Sequence, residues 1–187
     1  MKKIMVLLII LGFPQQILAQ TFMDTSAIIS ELAYILERDQ KTRTGKDSAG
    51  FMRYIDSCNL VQIEKIIAEH GWLGMSVVGP SGNNTFFFVI QHSDLATQLK
   101  YFPLLEASVK KGESKLSHLA LMKDRILMRQ GKNQIYGSQV VFNKAGEQVF
   151  YPIEDEKNVN KRRAEMGMTT LEEYAKLFGM EYKIPQN

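Results

Sequence analysis

A chain of 187 residues, 45% of them hydrophobic, is long enough to bury a substantial core and suits a single domain. Its 23 basic and 20 acidic side chains give a net charge of +3, but Lys2 and Lys3 lie in a segment that we expect to be removed, which leaves 21 basic against 20 acidic side chains. A nearly neutral protein has no basic field for nucleic acid, so we expect none among its partners.

Residues 1–19 have the pattern of a secretory signal peptide. Two lysines begin it, an apolar stretch follows at 4–13, and small and apolar residues lead to a cleavage position after Ala19 or Gln20. The alternative is a membrane anchor, but a membrane span needs roughly 20 apolar residues, about twice the number in this stretch. We therefore predict an exported protein, periplasmic or secreted. Its mature residues 20–187 should form one globular domain without stable membrane association.

The first predicted elements are helices, because apolar residues recur at helical spacing. One helix is predicted to begin at the N-cap Asp24 and to end near Gly45. A second helical segment covers residues 48–57. A third is predicted to start at Asn59, since a glutamine three residues later completes the spacing of a capping box, and to end at Gly71.

The middle of the chain contains one ambiguous segment. Residues 74–84 are rich in glycine, asparagine and proline and are predicted to form a loop. The apolar, partly aromatic residues 85–90 fit a strand or a buried helix that runs to His92, and we predict a helix because helices flank the segment. Further helices are predicted at 94–111 and 114–130.

The pattern then changes to short β-branched and aromatic runs. They flank a turn at Gly146, which predicts a β-hairpin near residues 139–151. Short helices are predicted at 159–166 and after a cap at Thr169 or Thr170. The expected fold class is mainly α (α+β), a single helical domain with a small β-hairpin.

Polar side chains recur where apolar segments end or are interrupted. Unpaired polar groups are costly to bury, so these side chains predict a pocket for a small polar ligand or a peptide. The candidates are Asp39, Gln40, Arg43, His92, Asp124, Arg125, Gln134, Tyr136, Gln139, Arg162 and Arg163. We expect six of them, His92, Asp124, Arg125, Gln134, Tyr136 and Gln139, to meet in space.

His92 is the best catalytic candidate, because a neutral imidazole acts as a general base or nucleophile near pH 7. Its acidic partner would be Asp124 or Asp39. The alternative is a histidine that only satisfies carbonyls at a helix end. For Asp124 and Arg125 together, three roles remain open: orienting the histidine, clamping an anionic group, or forming a buried ion pair.

Metal and cofactor chemistry find little support in the sequence. His70, predicted in the last turn of a helix, and His118, predicted on a surface face, complete no metal motif. The single cysteine, Cys58, cannot form an internal disulfide. We therefore expect no metal site and no cofactor.

The order of these residues resembles a bacterial domain family of unknown function. The pattern covers nearly all of the mature chain, and its main parts are Gln91-His92-Ser93-Asp94, Asp124-Arg125, Gln134-Ile135-Tyr136-Gly137-Ser138-Gln139 and Arg162-Arg163. Two departures are visible: Leu73 stands where the family usually has proline, and Asn160 where it often has aspartate. The resemblance implies a mostly helical domain with a small hairpin and implies no known activity.

Two classes of function therefore remain. One is an exported, hydrolase-like enzyme that uses His92; the other is a non-catalytic binding or interaction module whose polar network is structural. Convergence of the polar residues on an open concavity would favour an enzyme or ligand site. Complete burial with mutual hydrogen bonding would favour a structural network.

Overall fold

The computed structural model describes residues 24–45 and 48–185, so the predicted signal peptide lies outside the described residues. This part of the chain is mainly α, with one small antiparallel sheet. Its elements are α1 (Thr25–Thr44), α2 (Ala49–His70), α3 (Met75–His92), α4 (Leu95–Lys110), α5 (Leu116–Arg129), β1 (Val140–Phe142), β2 (Gln148–Phe150), a 3-10 turn (Glu156–Asn158), α6 (Val159–Glu165) and α7 (Leu171–Lys176). Within these described ranges, no helix combines the length and the hydropathy of a membrane span.

Helix α1 begins and ends where the sequence predicts. The Asp24 carboxylate accepts a hydrogen bond from the backbone N–H of Ala27 at 3.1 Å, and the chain leaves the helix at Gly45. Leu32 and Ile35 of its apolar stripe are fully buried. This face packs on α2 and α3.

The predicted helix start at Asn59 is wrong, since α2 continues through this residue without a break. Asn59 is buried, and its Oδ1 accepts a hydrogen bond from Nε of Arg38 at 2.8 Å. Oε1 of Gln62 accepts from the same guanidinium at 2.6 Å. The three-residue spacing that resembles a capping box here places two amides on one helix face, where they bind an arginine of α1.

The predicted loop at residues 74–84 is also wrong, because all of these residues after Gly74 form the first half of α3. A single kink at Gly79, with φ 69° and ψ 169°, accommodates Pro80. Gly82 lies close to α1, and a Cβ atom there would come within 3.3 Å of Leu32 Cδ1. In this segment Gly79 and Pro80 therefore form a kink within the helix, and Gly82 allows α1 and α3 to cross closely.

The second half of α3 is the centre of the core and confirms the predicted helix. Phe86, Phe87 and Ile90 are almost completely buried, and α3 contacts α1, α2, α4 and α5. Burial on several sides explains a sequence that is apolar all round. His92 is the last residue of this central helix.

The predicted hairpin is confirmed, with β1 and β2 paired antiparallel so that Val141 lies opposite Val149. After the hairpin, Thr170 and Glu173 form a reciprocal capping box at the start of α7. Leu171 of this helix is fully buried. It lies against Gly137, just ahead of the hairpin, where an added Cβ would come within 2.7 Å of its Cδ1.

Candidate functional site

The centre of the candidate site is a contact between the C-terminal ends of α1 and α3. Nδ1 of His92 lies 3.2 Å from Oδ1 of Asp39, although the two residues are 53 positions apart. The Asp39 side chain is 1% exposed, whereas that of His92 is 15% exposed. The carboxylate is therefore enclosed, and the imidazole retains access to solvent.

Further donors surround the Asp39 carboxylate. Nε2 of Gln40 donates to Oδ2 at 2.8 Å, and Nη2 of Arg43 donates to Oδ1 at 3.0 Å. The same Nη2 lies 2.5 Å from Oδ1 of Asp56 on α2. Of the three predicted site residues of α1, Asp39 contacts His92, and Gln40 and Arg43 contact Asp39. The interpretation of the sequence left Asp56 out of the site, although its position three residues before Asn59 indicates an inward helix face.

The charges of this cluster determine the protonation of both central groups. Burial alone would raise the pKa of Asp39, but hydrogen bonds from His92 and Arg43 outweigh it and lower that pKa to about 2. Burial lowers the pKa of His92 below its ordinary value of 6.5, although the hydrogen bond and charge of Asp39 raise it. The positive charges of Arg43 and Arg125 lower this pKa further.

These shifts fix the form of the imidazole at neutral pH. His92 is neutral, and the ionised Asp39 accepts the proton carried by Nδ1. The lone pair is consequently on Nε2. An imidazole in this tautomer can accept a proton from a bound molecule.

An open cleft lies beside His92 and has a volume of about 310 Å³. Side chains of α2 form one wall, and the connection between α3 and α4 forms the other. The lining residues are Arg53, Asp56, Ser57, Leu60, His92, Ser93 and Asp94. The cleft brings a basic group, a cation and an apolar surface within reach of one small molecule.

Three side chains at and behind the cleft have the chemistry of metal ligands. One oxygen each of Asp39 and Asp56 and one nitrogen of His92 lie within 4.8 Å of one another. The Arg43 guanidinium already contacts both carboxylates and supplies the positive charge that a metal ion would bring. A cation at this position would have to displace Arg43.

Asp124 belongs to a second polar cluster. Its side chain is 0% exposed, and its oxygens accept hydrogen bonds from the backbone N–H groups of Ile135, Tyr136 and Ser138 at 2.7 to 3.2 Å. Burial raises the pKa of Asp124, and these donors oppose that rise. The carboxylate fastens the segment that precedes the hairpin to α5.

The predicted amides complete this anchoring. Oε1 of Gln134 accepts from the backbone N–H of Gln139 at 2.7 Å, and its Nε2 donates to the carbonyls of Gln139 at 3.0 Å and Tyr151 at 2.7 Å. Every polar atom of the Gln134 side chain is thus satisfied inside the protein. Gln134 closes the base of the hairpin.

The two predicted arginines of α6 bind the backbone of the segment that precedes the hairpin. Nε of Arg162 donates to the carbonyl of Ile135 at 2.9 Å. Arg163, 1% exposed, donates to the carbonyls of Tyr136 at 2.7 Å and Thr169 at 2.6 Å. In these contacts Tyr136 takes part through its backbone. We call this set, centred on Asp124, Gln134 and Arg163, the hairpin anchor.

The six residues predicted to meet therefore fall into two groups joined by Arg125. Its Nε donates to Oε1 of Gln139 at 3.1 Å, and its Nη1 donates to the carbonyl of Gln91 at 3.2 Å. His92 has Asp39 as its acidic partner, and Asp124 binds backbone N–H groups. Of the two carboxylates predicted as partners of His92, Asp39 is the one that contacts it.

The prediction that His118 lies on a surface face is wrong. His118 is 6% exposed and stacks on Phe87, with the ring centroids 3.9 Å apart. Burial lowers its pKa to about 4. His70 occupies the last turn of α2, as predicted, with Nε2 3.7 Å from a carboxylate oxygen of Glu69.

The family model for a family of unknown function (DUF6624) matches residues 15–185. Comparisons with the curated proteins and with the solved structures gave no match. Because the match covers most of the chain, the protein belongs to this family of unknown function. The resemblance predicted from the sequence is confirmed at the level of the family.

Proposed function

We propose that the protein is an exported hydrolase in which His92 activates a water molecule and Asp39 orients His92. The observation that carries this proposal is the 3.2 Å contact between His92 Nδ1 and Asp39 Oδ1 at the edge of an open cleft of about 310 Å³. A buried carboxylate behind a partly exposed imidazole orients the ring and stabilises the imidazolium, which supports general-base catalysis. Arg43 supports it by lowering the pKa of Asp39 and holding that carboxylate in place, and Asp56 fixes Arg43 through a second contact.

The proposed reaction is the hydrolysis of an ester. Nε2 of His92 takes a proton from water while the water oxygen attacks the carbonyl carbon, and Asp39 stabilises the imidazolium that forms. The tetrahedral intermediate then collapses, the bond to the leaving oxygen breaks, and the imidazolium returns its proton to that oxygen. The products are a carboxylic acid and an alcohol.

Water is the proposed nucleophile because the hydroxyl groups of the cleft are engaged elsewhere. Oγ of Ser57 donates to the carbonyl of Arg53 at 2.9 Å, and Oγ of Ser93 donates to the carbonyl of Val89 at 2.9 Å. Both hydroxyls thus bind the preceding turn of their own chain segment. Neither is hydrogen-bonded to His92.

Kinetics of purified mature protein on p-nitrophenyl esters test this proposal. His92→Gln should lower kcat/KM about 100-fold or more, because the general base is lost. Asp39→Asn should lower kcat at least roughly tenfold, because the imidazole loses its orienting charge. His70→Gln is the matched control and should keep the wild-type rate.

The pH profile separates a base from a merely structural histidine. The rate should rise with pH through a midpoint below 6.5, since burial lowers the pKa of His92. A rate that is insensitive to His92→Gln, or that shows no such ionisation, would reject the hydrolase.

Export is part of the proposal and rests on the signal-peptide pattern of residues 1–19. Expression in a bacterial host followed by N-terminal sequencing of the protein from the periplasm or medium should give a chain that begins at Gln20 or Thr21. An intact Met1 on membrane-bound material would contradict it.

The alternative function, a non-catalytic binding module, is favoured by the hairpin anchor, whose polar groups satisfy one another inside the protein. Under this alternative the Asp39–His92 pair is a structural contact as well. His92→Gln would then lower the melting temperature clearly without changing any measurable turnover.

A further inference from the structure

We infer that the substrate carries an anionic group, a carboxylate or a phosphate, which Arg53 binds on the α2 wall of the cleft. This inference rests on the proposed function and names the class of its substrate: small esters with a negative charge a few bonds from the scissile carbonyl. Three observations support it.

The first observation is the state of the charged groups that line the cleft. Asp56 is paired with Arg43 at 2.5 Å, and Asp94 accepts the backbone N–H of Thr97 at 2.8 Å at the start of α4. Across the described residues, no ion pair or hydrogen bond occupies the guanidinium of Arg53, which is exposed. Arg53 is therefore the lining cation that is open to an anion.

The second observation is the spacing along α2. Arg53, Ser57 and Leu60 follow at intervals of four and three residues, so they lie on one helix face about one turn apart. His92 belongs to the opposite wall of the same cleft. A molecule that reaches both walls places its anion at Arg53, a short aliphatic part at Leu60 and its carbonyl at the imidazole.

The third observation is the field around His92. The positive charges of Arg43 and Arg125 both reach the imidazole and lower its pKa, and the negative charge that opposes them, that of Asp39, is enclosed behind the ring. Such a surrounding favours a ligand with negative charge and stabilises the oxyanion that forms during ester hydrolysis. An arginine suits the anion itself because its planar fork can bind two oxygens of a carboxylate or phosphate at once.

A pair of chromogenic esters tests the selectivity. The mature protein should hydrolyse p-nitrophenyl hemisuccinate with a higher kcat/KM than p-nitrophenyl acetate. Arg53→Gln should reduce the ratio of the two kcat/KM values about fivefold, as expected for an exposed charge-assisted contact, while Arg53→Lys should retain part of it. Lys144→Gln removes an exposed cation of the hairpin turn, outside the cleft, and should leave the ratio unchanged.

Binding experiments judge the anion site independently of turnover. Titration with sodium succinate, and separately with inorganic phosphate, should shift the NMR resonances of the His92 ring in wild type and not in Arg53→Gln. A response to succinate alone identifies a carboxylate substrate, and a response to phosphate alone identifies a phosphorylated one.

The two proposals fail in different ways. Suppose that the wild-type protein hydrolyses both esters no faster than the His92→Gln variant does, while succinate or phosphate still binds through Arg53. The hydrolase is then rejected and the anion site stands. If esters are hydrolysed but the anion preference is absent or survives in Arg53→Gln, the anion site is rejected and the hydrolase stands. Absence of any anion response in wild type also overturns the inference.

Discussion

Neighbouring residues shift the pKa of the His92 imidazole in opposite directions. Burial and the charges of Arg43 and Arg125 lower its pKa, whereas the hydrogen bond and charge of Asp39 raise it. Without Asp39, the remaining influences would all favour the neutral ring. Asp39 thus keeps a buried histidine basic enough to accept a proton.

Replacement of Asp39 by asparagine should therefore lower the pKa of His92 further and move the midpoint of its titration to lower pH. Removal of the negative charge takes away the main influence that favours the imidazolium. NMR titration of the histidine rings measures this in the absence of any substrate. Glu106→Gln, an exposed carboxylate of α4 outside the cleft, is the control and should leave the His92 titration unchanged.

An unchanged or raised His92 pKa in Asp39→Asn would contradict the assigned contact. His70 provides an internal reference in the same spectra, since its carboxylate neighbour is Glu69. A shift confined to His92 would show that the effect belongs to the pair.

The sequence identified His92 and Asp39 as candidates, left open whether Asp39 or Asp124 contacts the histidine, and did not identify Asp56 or Arg53. His92 and Asp39 are each recognisable as polar residues at the ends of apolar stripes, yet 53 positions separate them and only helix packing brings them together. Asp124 has the same residue type as Asp39 and a similar position. Backbone N–H groups of a loop occupy Asp124, and no periodicity reveals such donors.

The elements show the same division between local and distant causes. Helix α1 and the hairpin follow from local signals, a cap at Asp24 and a turn at Gly146. The helix start predicted at Asn59 and the loop predicted at residues 74–84 were wrong because their cap-like and turn-like residues make tertiary contacts instead. Asn59 binds Arg38 from inside a helix, and Gly82 allows α1 to approach.

The kink of α3 yields a prediction at the scale of the element. Gly79 has φ 69° and ψ 169°, a region that is essentially restricted to glycine, so Gly79→Ala should destabilise the protein by about 1–3 kcal/mol. Urea unfolding followed by far-UV circular dichroism measures the loss. Among the described residues, no atom beyond the two adjoining residues lies within 4 Å of a Cβ at this position, so the cost would come from the backbone.

Gly50→Ala is the matched control for this change. Gly50 lies near the start of α2 and has no positive φ. In the part of the chain that the structure describes, its Cβ would meet Ser48 Oγ at an ordinary 3.8 Å and nothing closer. The substitution should leave stability unchanged or raise it by less than about 1 kcal/mol. Equal effects at the two glycines would show that the kink is not strained for alanine.

At the scale of the whole molecule, acid stability depends on a residue outside the candidate site. His118 is buried against Phe87, its Nδ1 has no hydrogen-bond partner among the described residues, and its pKa is about 4 instead of 6.5. Below pH 6.5 the unfolded chain binds a proton that the folded protein does not accept. Stability is therefore lost as the pH falls from 6.5 towards 4.

His118→Phe should remove this part of the pH dependence. A shift of this size corresponds to about 3 kcal/mol between the two ends of the window, and phenylalanine keeps a ring against Phe87 without a proton site. Urea unfolding at several pH values from neutral to about 4 measures the difference. His70→Gln, whose residue lies at the exposed end of α2, should retain the wild-type dependence.

The candidate site contributes to both acidic windows, because burial also lowers the pKa of His92 below 6.5. Asp39 contributes stability that is present above its ordinary pKa of 3.8 and is lost as the pH falls towards about 2, below the range in which His118 acts. His118→Phe should accordingly reduce the loss of stability between pH 6.5 and 4, with the smaller contribution of His92 remaining, and leave the loss below 3.8 in place. A wild-type dependence that persists in His118→Phe would assign the acid sensitivity to another buried group. Since Asp39 stays ionised throughout the upper window, the Asp39–His92 pair stays assembled for as long as the fold does.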